Sequence, residues 1–214
     1  MTHLYLTAGM PRSASTWLYN AVRLILRRCG HDDLGAGWVG DFNTFKRHAT
    51  VLVKIHDFQP VLAQHATGIL YSFRDIRDSL ASSLRKFGTQ PTFERAAKLL
   101  EQDRIWRQQA GFLMRYEDMM RKPAVMIGRL AAFLHCAEVD PADIGRQIDG
   151  FDFASGPPQD GPYNRENLLH RGHITDGRHG SWAGLVPPEL VRRIENEYAT
   201  WLCDNGYLLT KEPA

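Results

Sequence analysis

The sequence has no long hydrophobic run. Its first apolar stretch, Leu4 to Met10, is far too short to span a bilayer and no basic leader precedes it, so neither export nor membrane anchoring is expected. Internal repeats and low-complexity tracts are also missing, which excludes solenoids, propellers and long disordered arms. A formal net charge of only +2 leaves out the strongly basic surface that nucleic acid would require. Cysteine is scarce and odd in number: Cys29, Cys136 and Cys203 stand apart, with neither metal-ligand spacing nor a disulfide framework. That usage points to a reducing cytosol, and a cytoplasmic protein is the expectation. The 214 residues, 43% of them apolar, are enough for one domain over 1–214 that buries a continuous core without staples.

Along the chain, strand and helix patterns alternate. The run HLYLTAG at 3–9 reads as a short buried strand, and STWLYNAVRLILRRC from Ser15 as a helix capped by Ser13 or Ser15. TVLVKIH at 50–56 and GILYSFR at 68–74 are apolar, β-branched runs of strand length that end in basic residues. DIRDSLASSLRKF opens with an aspartate and predicts a helix, as does the segment from Thr92 to Gln109. GFLMRYED predicts a further strand, AVMIGRLAAFL a helix, and the chain from Pro187 to about Asn205 a last helix. This alternation predicts an α/β domain, three layers around a mainly parallel sheet, with its ligand crevice at the carboxyl ends of the strands. Residues 150–184 are rich in Gly, Pro, Asp and His and predict a long loop over one face, and 207–214 predict a tail.

The loop between the first strand and helix, GMPRSASTW, partly fits the phosphate-loop pattern G-x-x-x-x-G-K-[ST]. Gly9 fits, and the strand, loop and helix context would let backbone amides cradle an anion. The lysine of that pattern is replaced by Ser15, while a positive charge stands earlier, at Arg12. By itself the stretch could equally be a turn and a helix cap. A magnesium-dependent nucleoside triphosphatase is disfavoured, and a phosphate-loop kinase acting on a small molecule is the weaker enzymatic alternative.

PRSASTW, then K-x-H at a strand end, then an arginine and a serine eight positions apart, then RYEDM, in that order, resemble the sulfotransferases that use 3′-phosphoadenosine 5′-phosphosulfate (PAPS). The resemblance implies a phosphate-loop-like sulfotransferase fold, sulfuryl transfer to a hydroxyl or amine, PAPS as donor with PAP as product, and no metal. It implies that Arg12, Ser13, Ala14, Ser15 and Thr16 hold the 5′-phosphosulfate and that Trp17 stacks on the adenine, where helix packing is the alternative. Lys54 is then placed near the sulfate and His56 is the general base, a role that suits a group titrating near neutrality; Asp57 is a candidate to orient it. Arg74 and Ser82 are implied at the 3′-phosphate and Tyr116 at the nucleotide. Arg77 is read as a surface or ion-pair residue, and Glu117 and Asp118 as first-turn helix charges.

The family closes its site with a basic loop before G-x-W. Here Gly180, Ser181 and Trp182 match, but Thr175 and Asp176 stand where the animal cytosolic enzymes carry Arg-Lys. Arg178, with Arg171 as second choice, is the implied substitute, and GRHGSW is similar to the bacterial branch. His170, His173 and His179 are too loosely spaced to favour a metal. Trp38, Phe42 and Phe45 either line an acceptor pocket or pack on the sheet. The expected acceptor is a small molecule, a lipid headgroup or a sugar terminus, taken up by a monomer or homodimer. A relative that binds nucleotide without turnover is the reading from a different class.

Overall fold

The computed structural model describes residues 3–155, 161–172 and 177–210. In chain order these form β1 (His3–Gly9), α1 (Ser15–Arg28), β2 (Leu34–Trp38), α2 (Phe42–Phe45), β3 (Thr50–Ile55), α3 (Pro60–His65) and β4 (Gly68–Phe73). There follow α4 (Ile76–Phe87), α5 (Phe93–Gln109), β5 (Phe112–Arg115), α6 (Tyr116–Arg121), α7 (Pro123–Phe133), α8 (Pro141–Asp149) and α9 (Pro188–Asp204). The five strands make one sheet in the order β2-β3-β1-β4-β5, every pairing parallel.

A parallel sheet must be covered on both faces, so its strands are apolar along their length rather than alternately. In β3 every residue is buried: Val51, Val53 and Ile55 face one core, while Leu52 faces the other. The first core takes Leu80 of α4, Trp106 of α5 and Ile194 of α9; the second takes Leu18 and Ile25 of α1 and Ile127 of α7. Helices therefore lie on both sides of a parallel sheet, the three-layer α/β arrangement that the alternating pattern implies.

Several local expectations are corrected. No side chain caps α1: Ala14 occupies the cap in the left-handed region (φ 61). The Ser13 hydroxyl turns away, 2.6 Å from the Met10 carbonyl and 2.7 Å from the Ser72 hydroxyl. The strand expected through Asp118 stops at Arg115, because Glu117 and Asp118 are already in the first turn of α6. Within the segment 207–214, Tyr207 is buried and donates to Glu117 (3.0 Å), and the Thr210 amide donates to Glu195 (3.1 Å). Residues 211–214 lie outside the described residues.

The expectation of no disulfide is overturned. Cys29, after α1, and Cys136, after α7, are bonded, with Cα atoms 5.8 Å apart across 107 residues of sequence. Such a separation leaves no trace in local spacing, and the pairing removes cysteine usage as an argument for a reducing compartment. Cys203 is exposed and free. No helix among the described residues is long and apolar enough to cross a membrane.

Candidate functional site

Because β1 lies between β3 and β4, the carboxyl ends of these strands deliver Gly9, His56 and Arg74 to one rim of the sheet. The chain turns sharply after Gly9, where a side chain has no room: a Cβ would sit 2.5 Å from Ser15 Cβ and 2.5 Å from Ser72 Oγ. Two residues of the loop, Arg12 (φ 68) and Ala14 (φ 61), take left-handed backbone. Left-handed residues beside an uncapped helix start form a concavity of amides suited to an anion.

Helix α4 holds this loop from the side. Arg74, just before the helix, donates from Nη1 to the Arg12 carbonyl (3.2 Å), Ser79 Oγ donates to the Pro11 carbonyl (2.7 Å), and Arg12 Nε donates to Ser82 Oγ (2.9 Å). Arg74 and Ser82 thus meet the loop together, as two turns of helix require. The Arg74 guanidinium lies 4.0 Å over the Tyr116 ring, and its Nη2 donates to the Arg178 carbonyl (2.6 Å). Tyr116 OH donates to the Gly177 carbonyl (3.0 Å). Arg178 therefore joins the cluster through its backbone.

Asp78 fixes the approach of this last segment. Its carboxylate is 1% exposed and accepts from the Gly180 amide (2.7 Å), the Trp182 amide (3.1 Å) and Ser181 Oγ (3.3 Å). Arg74 Nη2 stands 3.6 Å from it. Trp182 in turn receives the Arg77 guanidinium at 4.3 Å. Arg77 is fully buried rather than a surface residue, and its ion pairs are with Asp75 and Glu195.

On the β3 side, Lys54 is 7% exposed and His56 half-buried. His56 Nδ1 meets the Gly9 carbonyl at 2.6 Å; a carbonyl only accepts, so Nδ1 carries the proton and Nε2 is left as an acceptor. Lys54 Nζ lies 3.3 Å from that Nε2. The group oriented against Nδ1 is thus the Gly9 carbonyl, where the sequence suggested Asp57. Trp38, at the end of β2, completes the group, its ring 5.1 Å from Lys54 Nζ and 5.5 Å from the His56 ring.

Burial, and then the nearby Arg12, lower Lys54 to about 8; burial first and Arg74 second lower Arg12. Three cations, Arg12, Lys54 and Arg74, share this rim with the Asp78 carboxylate, and Arg74 Nε is buried without a hydrogen-bond partner. Such an arrangement calls for an anion. The folded lysine gives up its proton more readily than the unfolded one. Folding stability from this group therefore rises with pH between about 8 and 10.5. With 13Cε-labelled lysine, NMR should show one resonance titrating near 8, absent in Lys54→Met, and PAP should move that midpoint upward.

The other candidates are more dispersed. Trp17 is half-buried against the second core. The Arg171 guanidinium packs over Phe153 (5.0 Å), while its carbonyl accepts from Lys86 Nζ (2.6 Å). Of the three histidines, His170 donates from Nδ1 to the Pro162 carbonyl (2.9 Å), and its pKa is lowered by burial and by Lys54, Lys86 and Arg12. His179 is exposed, and His173, Thr175 and Asp176 lie outside the described residues. No cluster of three or more metal-ligating side chains occurs among the described residues. Phe45 is buried in the first core, with Phe42 edge-on to it at 5.9 Å, so of the three aromatics only Trp38 borders Lys54 and His56. Sequence reasoning passed over Asp78 and Ser79, which act on backbone groups of remote segments, and left the place of Trp38 open.

No protein-family model and no curated protein matches the chain. Solved structures do. Mouse sulfotransferase SULT7A1 complexed with PAP is 16% identical, with a TM-score of 0.64 over 94% of this chain and 84% of that one. Retinol dehydratase with retinol and PAP gives 16% and 0.58 over 99% and 83%; with androsterone and the inactive cofactor PAP it gives 16% and 0.59 over 98% and 82%. The chain has the sulfotransferase fold.

Proposed function

We propose, from that fold and from the buried cation cluster at the loop, that the protein is a PAPS-dependent sulfotransferase acting on a hydroxyl or amine of a small-molecule, lipid or sugar acceptor. The observation that carries the reading is the convergence of Arg12, Arg74 and Lys54 on an uncapped α1, with Arg12 bonded to Ser82. PAP is present in the solved structures of the same fold, and the residues here fit such a ligand: an amide concavity for one phosphate and Arg74 with Ser82 for another. In the resemblance, Ser13, Ala14, Ser15 and Thr16 serve the first and Tyr116, Trp17, Arg178 and Arg171 the nucleotide. Since Arg178 meets Arg74 through its carbonyl and Arg171 packs on Phe153, Arg74 and Arg12 are the principal cations of our proposal.

Bound PAPS supplies an activated sulfuryl group: a new O–S or N–S bond to the acceptor forms as the bond to the 5′-phosphate breaks, and PAP departs with that electron pair. His56 Nε2 takes the acceptor proton, its tautomer held by the Gly9 carbonyl. Lys54 and Arg12 neutralise charge on the sulfuryl oxygens, and the first-turn amides of α1 do so on the departing phosphate. Preorganised charge of this kind usually contributes most of the rate, with a general base adding about 10²–10⁴-fold.

Incubation with radiolabelled PAPS and a panel of phenols, alcohols and amines, with EDTA present, tests the proposal. PAP release and a labelled acceptor are expected. PAP that fails to bind, or transfer that requires ATP and magnesium, would overturn it in favour of a phosphate-loop kinase. Tight PAP binding without transfer to any acceptor would instead favour a non-catalytic relative.

A further inference from the structure

A cavity of about 190 Å³ opens beside His56 and reaches back to Pro11, the residue before Arg12. This volume falls below the usual range for drug-sized ligands and suits a single ring or short chain. Met10, Leu99 and Trp106 give it an apolar lining. Its polar atoms are partly committed, since Trp106 Nε1 donates to the His56 carbonyl (2.8 Å) and Gln102 Oε1 accepts from the Phe58 amide (3.1 Å).

The remaining wall is charged. Arg95 and Lys98, three residues apart on α5, fall on one face of that helix and both line the cavity. Neither makes an ion pair among the described residues, whereas Arg107 of the same helix is tied to Asp103 (2.7 Å). Asp57 is the one carboxylate in the lining, so two cations face one anion. A cavity with His56 at one end, an apolar middle and two solvent-exposed cations on α5 selects a ligand with the complementary order of groups.

We propose that the acceptor is a small hydroxy acid, its hydroxyl at His56 and its carboxylate between Arg95 and Lys98. This rests on the sulfotransferase reading and adds the substrate class. The probes are 4-hydroxyphenylacetate and 4-hydroxyphenylacetamide, alike in shape and different in charge, titrated into the protein saturated with PAP and followed by ligand-detected NMR. The acid should bind several-fold, up to about fivefold, more tightly than the amide, the size of an ion pair to exposed side chains. Arg95→Gln combined with Lys98→Gln should abolish that difference, and PAP affinity in the same samples reports that the variant is folded. Equal affinity of the two probes, no binding of either, or an acid preference that survives in the double variant would overturn the proposal. Failure of PAP itself to bind would instead remove the sulfotransferase reading beneath it.

Discussion

Replacing His56 by alanine is expected to lower kcat by about 10²–10⁴-fold while PAP affinity stays within about twofold. The argument is geometric. A general base needs a nitrogen that can accept a proton from a fixed direction, and the Gly9 carbonyl, by holding the Nδ1 proton, makes Nε2 that acceptor. Nε2 then faces Lys54, which would share the same reacting centre. The imidazole bonds the Gly9 carbonyl and Lys54, whereas Arg74 and Ser82 reach the loop through Arg12, so its loss should leave the proposed nucleotide contacts in place. Rapid-quench measurement of PAP formation gives the chemical step, and calorimetry with PAP gives the affinity. Full turnover of the variant would take His56 out of the mechanism; a large loss of PAP affinity would show that it holds the loop rather than moves a proton.

The parts of the fold that were legible in the sequence are those whose residues meet the same environment along their whole length. β1, β3 and β4 are largely buried and read as mainly apolar runs, and α1 and α4 carry one apolar stripe each. β2 was not legible. Its sequence, LGAGW, has the low strand propensity of glycine, and its glycines answer to a tertiary demand: a Cβ on Gly37 would come 2.6 Å from the Phe45 ring. Trp38 ends that strand, which is why its place beside Lys54 and His56 could not be read beforehand. α8 is only nine residues long and buries only Ile144, and it went unread although Asp140 and Pro141 mark its start. In the site, the spacing of Arg74 and Ser82 brought both to the loop because Arg74 directly follows β4 and Ser82 lies about two turns into α4. The Cys29–Cys136 bond and the grip of Asp78 on 180–182 depend on segments about a hundred residues apart, and no local pattern encodes them.

Asp78→Ala should produce the largest loss of stability among single changes at this site. Its carboxylate is almost completely buried and answers two backbone amides, one hydroxyl and the guanidinium of Arg74. Alanine leaves the amides of Gly180 and Trp182 without their acceptor and Arg74 without its counter-ion, and removing one partner of a buried pair costs about 3–5 kcal/mol. For a chain of this size that corresponds to a fall in Tm of roughly 6–20 °C. Asp78→Asn retains an acceptor oxygen but loses the charge, so its fall should be smaller. Because Arg74 also donates to the Arg12 and Arg178 carbonyls, the alanine variant should loosen both loops that flank the proposed nucleotide site. PAP should then bind the variant more weakly, so at equal concentration it should raise Tm less in the variant than in the wild type. Differential scanning calorimetry with and without PAP reads both effects. A fall in Tm below about 2 °C would mean that the segment from Gly180 to Trp182 is held by contacts other than Asp78, and an equal gain from PAP in both proteins would separate Asp78 from the anion site.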